Sequence, residues 1–199
     1  MQDTGIVIKS YKKGEWDRRL YILFAERGVS YAHAKSAGKP KSAIFSSAQP
    51  FCLSEFTLYE GRGFVSIAEA SVIRSFFGIA ADYEKYHAAS SIAELVGRFV
   101  MPGVPAGKSL RLMAKALSAI ERGKGDAALI AAVFKLKFLQ NEGLASSHAE
   151  DYPAVKAILS ADDAFSIRAS RAVSDIIIER ASSLATRALE SRLKTDVSG

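Results

Sequence analysis

Lys9, Lys12, Lys13, Arg18, Arg19, Lys35, Lys39 and Lys41 all fall within the first 41 residues, interleaved with Tyr11, Trp16, Tyr21, Phe24 and Tyr31. Side chains of these two kinds, brought together, can hold a single-stranded nucleic acid: cations track the phosphates and rings stack on unpaired bases. Lys12-Lys13 and Arg18-Arg19 flank a turn at Gly14-Glu15-Trp16-Asp17, and Lys35, Lys39 and Lys41 lie in a loop over residues 34–46 that contains no acid. Loops at one end of a small barrel project together, so the two groups are expected to form one positive strip, with Trp16 and Tyr31 offering rings. Arg62, between Gly61 and Gly63, is a further candidate, although a hairpin tip alone accounts for its glycines. The plainer alternative is that the lysines are ordinary solvated surface and the rings are core. Tyr21 and Phe24 are read as core, and the loop lysines as binding residues.

Other chemistry finds little support. Gly103-Val104-Pro105-Ala106-Gly107-Lys108-Ser109 imitates a phosphate loop, but one residue is missing between its glycines and no strand precedes it, so it reads as a connector between helices. His33, His87 and His148 sit on three separate elements with no metal-ligand spacing, and no metal or other cofactor is expected. Cys52, the single cysteine, allows no intramolecular disulfide and reads as a small buried hydrophobe within Phe51-Cys52-Leu53. The adjacent acids Glu150-Asp151 and Asp162-Asp163 are the only pairs a metal-dependent nuclease could use, and helix capping explains the second. No catalytic residue is assigned, and the chain is read as a non-enzyme. Arg180, Arg187 and Lys194 recur every seven residues along a late helix, where nearby Glu179 and Glu190 favour a solvated face.

The elements that would position these residues change character near residue 80. Before it, short β-branched and aromatic runs predict strands over residues 5–11, 18–25, 28–33, 51–60 and 64–70, punctuated by glycine and proline. After it the apolar period is helical. Residues 83–100 predict a helix with Tyr83, Tyr86, Ser90, Ala93, Val96 and Val100 on one face, and residues 108–122 a second one with Leu110, Met113, Leu117 and Ile120 inward. A third, over residues 127–141, is capped by Asp126 and apolar nearly all round, as suits the centre of a bundle. Short helices are expected in the acidic stretch 145–165. A long one over residues 167–194 is expected to bury Val173, Ile176, Ile177, Ala181, Leu184 and Ala188. The fold class is therefore α+β: a five-stranded barrel over residues 1–79 and an all-α domain over 80–199, without the alternation of a doubly wound sheet.

The 199 residues are 49% hydrophobic and carry a formal charge of +6. Residues 1–80 hold 11 Lys and Arg against 7 Asp and Glu. A basic excess favours acidic partners without choosing among them. An adaptor barrel that grips an acidic peptide is thus the rival to nucleic-acid binding. No apolar run reaches the ~20 residues needed to span a bilayer, no signal peptide is evident, and the cytoplasm is the expected location.

The order and spacing of these segments resemble the RecO family of bacterial recombination mediators. The likeness runs from Gly5-Ile6-Val7-Ile8-Lys9-Ser10-Tyr11 and Gly14-Glu15-Trp16-Asp17 through the basic loop Ala34-Lys35-Ser36-Ala37-Gly38-Lys39-Pro40-Lys41-Ser42. It continues through Gln49-Pro50-Phe51, Gly61-Arg62-Gly63 and Glu69-Ala70 to Phe134-Lys135-Leu136-Lys137-Phe138-Leu139 and Gly143-Leu144. The resemblance implies an N-terminal OB-fold barrel joined to a helical domain. It also implies binding to single- and double-stranded DNA, annealing of complementary strands, and partnership with RecR and the single-strand-binding protein SSB. By position, Lys35, Lys39 and Lys41 become the DNA-contacting loop, with Lys9 and Arg18 as weaker transfers. Two departures stand out: the four-cysteine zinc module of many members is missing, and Ser36 replaces the usual glycine after the loop lysine.

Overall fold

The computed structural model describes residues 1–61, 63–123, 125–144, 153–161, 164–166 and 171–197. Arg62, His148, Glu150-Asp151 and Asp162-Asp163 therefore lie outside the described residues, as does the rest of 145–152.

Among the described residues five strands form where the sequence alternates: β1 (Gln2–Lys13), β2 (Asp17–Phe24), β3 (Gly28–Ala34), β4 (Leu53–Gly61) and β5 (Phe64–Arg74). They close into a barrel in the order β1-β2-β3-β5-β4, antiparallel except where β3 meets β5. This is the OB arrangement, in which closure removes the sheet's free edges. The interior is filled by alternate residues, among them Val7, Leu20, Ile22, Phe24, Phe56 and Leu58. The loop after β3 lends Ala37 and Ala48 to the same cluster and so plugs one end.

Periodicity along β1 breaks at one point. Val7 pairs with Ile22 and Lys9 with Tyr21, leaving Ile8 as an extra, bulged residue. Continuing the Ile6/Ile8 alternation would place Ser10 and Lys12 on the outer face. The bulge instead turns Lys9, Tyr11 and Lys13 outward.

Among the described residues five α-helices follow: α1 (Tyr83–Phe99), α2 (Gly107–Glu121), α3 (Ala127–Asn141), α4 (Pro153–Ser160) and α5 (Arg171–Val197). The Asp82 and Asp126 carboxylates cap α1 and α3 by accepting the Lys85 and Ala128 amides at 3.1 and 2.8 Å. Helix α3 is central, with Leu129, Phe134, Phe138 and Leu139 buried among α1, α2, α4 and α5. The inward residues expected for α2 are all buried.

Two faces differ from expectation. On α1 the buried stripe is Ala88, Ala89, Ile92, Leu95, Val96 and Phe99, whereas Tyr83 and Tyr86 are exposed. Those two tyrosines precede the point where α1 dives beneath the bundle, and they sit beside His87 and Phe51 rather than under a neighbouring helix. On α5 Ile176 faces solvent, and the buried stripe on the helix that packs against α3 is Ile177, Ala181, Ala185 and Ala188, whose three alanines let the two axes approach closely.

One apolar cluster joins barrel and helices. Ile6, Ile8, Leu23, Val29 and Phe51 on the barrel's exterior are continuous with the α1–α3 core. The connector between α1 and α2 is laid across the β2–β3 turn, where Gly103 and Ala106 amides donate to the Arg27 and Ala25 carbonyls at 2.8 and 2.7 Å. This is the segment that imitates a phosphate loop; two of its amides are thus spent on the barrel, and Ser109 is buried against Glu142 at 3.1 Å. Among the described residues no helix is long and apolar enough to cross a membrane.

Candidate nucleic-acid interface

Directly opposed residues in an antiparallel pair share a face. Three rows can therefore be read across the outside of β1, β2 and β3. They are Lys9–Tyr21–Tyr31, Tyr11–Arg19–His33 and Lys13–Asp17. Part of this outer surface is covered by the helices, through Ile6, Ile8 and Leu23. The part with the three rows is open. Tyr21 marks the border: its ring packs against the cluster shared with α1, and its hydroxyl donates to the Gly97 carbonyl at 2.8 Å. Burial, and secondarily the neighbouring tyrosines, pushes its phenol pKa up.

The rings lie side by side, tilted on one another. Tyr31 lies 4.7 Å from Tyr21 and 6.4 Å from Tyr11 between centroids, and the Arg19 guanidinium sits 4.0 Å from the Tyr31 ring centre. A groove of about 870 Å³ runs alongside, lined by Lys12, Lys13, Arg19, Tyr31 and His33 on one wall and by Gly63, Phe64 and Val65 of the β4–β5 hairpin on the other. A second groove of about 500 Å³ continues past Tyr31 toward Pro102 of the α1–α2 connector. The outer face of strands 2 and 3, framed by the β1–β2 and β4–β5 loops, is where OB folds take oligonucleotides.

The basic loop is drawn to the same end of the barrel by Asp17. Its carboxylate accepts the Ser36 amide at 2.8 Å and lies 3.3 Å from His33 Nε2, an ion-pair distance. The Ser36 amide, and after it His33 and Lys35, hold the Asp17 carboxyl below the usual aspartate range. Gly38 completes the join by donating to the Trp16 carbonyl at 2.7 Å, and a Cβ there would fall 2.9 Å from that oxygen. Ser36 adopts a left-handed φ of 56°, a conformation that ordinarily favours glycine. Lys39 places its ammonium 5.7 Å from the centre of the exposed Trp16 ring. The loop is consequently not free of acids in space, since Asp17 lies beneath Lys35.

Strand parity divides the candidate residues. Lys9, Lys13, Arg19 and Tyr31 share the outer face. Lys12 and Arg18 oppose each other on the other face, in register with inward-pointing Ala34, although Lys12 at the strand's end still borders the groove. Lys35, Lys39 and Lys41 are exposed, Lys39 beside Trp16, and Arg62 lies outside the described residues. Among the described residues, none of Lys9, Lys12, Lys13, Lys35, Lys39 and Lys41 comes within 4 Å of a carboxylate. Phe64 lines the groove without having been assigned to it from sequence. For Phe64 the available signal was an aromatic placed directly after Gly61-Arg62-Gly63, at the mouth of a hairpin.

Comparison with known proteins matches this architecture on both sides of residue 80. The family description Recombination protein O N terminal covers residues 1–76, and Recombination protein O C terminal covers residues 80–151. A protein of Acetivibrio thermocellus named DNA repair protein RecO is 31% identical over 145 residues, which is 73% of this chain and 58% of the relative. Its namesake in Desulforamulus reducens is 35% identical over 140 residues, 70% of this chain and 54% of the relative. A third, in Rubrobacter xylanophilus, is 31% identical over 144 residues, 72% and 58%. The chain spans little more than half the length of these curated relatives. With the two halves of one family matched in order, on a barrel followed by a helical bundle, the chain belongs to the RecO family.

Proposed function

We infer that this chain is a DNA-binding recombination mediator of DNA repair, which works by binding rather than by catalysis. It holds single- and double-stranded DNA on the barrel, anneals complementary strands, and acts together with RecR and SSB. The observation that carries this reading is the open half of the barrel's outer face. There Lys9, Lys13 and Arg19 surround a cluster of tyrosines and Lys12 borders the groove from the strand's end, with no carboxylate within 4 Å of the lysines among the described residues. The names of the relatives, DNA repair protein RecO, support the same direction.

Annealing is slow because two polyanions repel. Cations fixed along the groove and on the loop neutralise phosphates of one strand and lower the repulsion felt by its complement, while bases remain accessible. No bond is made or broken, so no nucleophile or metal is required. If about four phosphates are neutralised, affinity for single strands falls with the logarithm of salt concentration at a slope of about −3.

The test is fluorescence anisotropy of labelled oligonucleotides across a salt series, paired with annealing of complementary strands with and without SSB coating. Lys35→Ala, Lys39→Ala and Lys41→Ala combined flatten the slope by about 2 and slow annealing. A folded triple variant with unchanged binding removes the loop from the site. A wild-type chain that ignores DNA but binds an acidic peptide establishes the adaptor role instead.

A further inference from the structure

Tyr31 and Phe64 are neighbours in the barrel. The short β3–β5 ladder pairs Ala32 with Val65 and His33 with Ser66, in parallel. Tyr31 and Phe64 are each one residue before the first of those pairs, at the same level on adjacent strands. Val65 packs on the barrel interior and Tyr31 lies on the exterior, so alternation turns Phe64 outward as well.

The two rings nevertheless make no ring contact with each other. Tyr31's ring partners, Tyr11, Tyr21 and Arg19, all come from the β1 and β2 side. Phe64, 59% exposed, has no ring or cation partner among the described residues. Both line the 870 Å³ groove, and both line the 500 Å³ groove beyond it, so the gap between them is where the two grooves meet. An exposed, unpartnered phenylalanine opposite a tyrosine whose other side is already braced is costly to leave in water and is shaped to receive a flat apolar group.

We propose that Tyr31 and Phe64 form a slot that takes one unpaired nucleobase, making the barrel selective for single strands over duplex. The inference rests on the reading of this face as a DNA site and gives it a specificity residue. Arg19, Lys12 and Lys13 lie along one groove only. The phosphates flanking the slotted base are held at that end, whereas the other groove is lined by no cation among the described residues, and its one acid, Glu60, is paired with Arg27 at 2.7 Å. A base still paired and stacked inside a duplex cannot enter without unpairing, which costs a few kcal/mol. Duplex DNA is left to the cations alone. The slot therefore adds affinity for single strands without adding to the salt dependence.

The experiment uses the full chain, with Phe64→Ala and, as a variant that keeps the ring, Phe64→Tyr. Because Phe64 is exposed, neither change touches the core, and thermal unfolding of each variant is measured beside the binding. Single-strand affinity is expected to fall about tenfold in Phe64→Ala, within the range for one stacked base. Its salt slope and its duplex affinity are expected to stay as in the wild type, and Phe64→Tyr to restore single-strand binding. An oligonucleotide carrying one 2-aminopurine reports the stacking directly, by quenching with wild type that disappears with Phe64→Ala. If Phe64→Ala weakens single strand and duplex equally, or neither, while the wild type binds with the expected salt slope, the slot is refuted and the DNA reading stands. If the wild type binds neither form, it is the DNA reading that falls.

Discussion

Gly28→Ala is the sharpest probe of how the barrel is fixed to the helices. Gly28 has a φ of +66°, and a Cβ there would lie well inside contact distance of the Met101 carbonyl oxygen and 2.7 Å from that of Val104. Two effects follow from one methyl group. An alanine in the left-handed region costs about 1–2 kcal/mol, partly offset by about 0.4–1 kcal/mol from the lost freedom of the unfolded chain. The methyl also pushes the α1–α2 connector off the β2–β3 turn, breaking the Gly103–Arg27 and Ala106–Ala25 backbone hydrogen bonds at about 1 kcal/mol each. The total is about 3 kcal/mol. Gly14→Ala supplies the control, since Gly14 has φ +67° but no atom near its absent Cβ, and so carries only the conformational cost of about 1 kcal/mol. Urea unfolding of both variants, followed by circular dichroism and by Trp16 fluorescence, gives the difference, expected near 2 kcal/mol. If Gly28→Ala costs no more than Gly14→Ala, the connector is not pressed against the turn and the account of the junction is wrong.

Three further outcomes are expected. Ser36→Gly relieves a left-handed serine and raises stability by about 0.5–1 kcal/mol, read as an increase in Tm, without weakening DNA binding. Tyr21→Phe removes the hydroxyl that donates to Gly97 and lowers stability by about 1 kcal/mol in chemical denaturation, with single-strand affinity unchanged. The Asp17 carboxyl, held low first by the Ser36 amide and then by His33 and Lys35, stabilises the loop above the ordinary aspartate pKa and loses that contribution as pH falls through its own lower value. Asp17→Asn is therefore less stable than wild type at pH 7, and the difference shrinks in unfolding measured near pH 3; a constant difference across that interval contradicts the assignment.

The barrel was legible because its strands alternate cleanly, and α2 and α3 because their glycine stops and the Asp126 cap bracket unbroken periods. What alternation could not supply was the extra residue at Ile8. A bulge leaves the composition of a strand untouched while reversing every face beyond it, which is why Lys13 rather than Lys12 shares the face of Arg19. Tyr83 and Tyr86 fitted a helical period equally well, and only the position of the barrel decides that this end of α1 is uncovered. The cationic loop could be recognised from its composition. Its attachment through Asp17 could not, because that bond joins residues 19 positions apart by a backbone amide. Phe64 escaped for a related reason: its partner across the gap, Tyr31, is a neighbour only through a parallel ladder two pairs long.

The apolar cluster that runs from Ile6, Ile8, Leu23 and Val29 into the bundle gives the molecule one fate rather than two. A fragment cut after residue 79 would wet those side chains and turn a nucleic-acid surface into a sticky one, so grafting this barrel onto another protein requires carrying α1 and α2 along or repainting its back with polar residues. The same continuity means that whatever grips the helices from outside also stiffens the wall behind the tyrosines, with Tyr21 as the rivet between them.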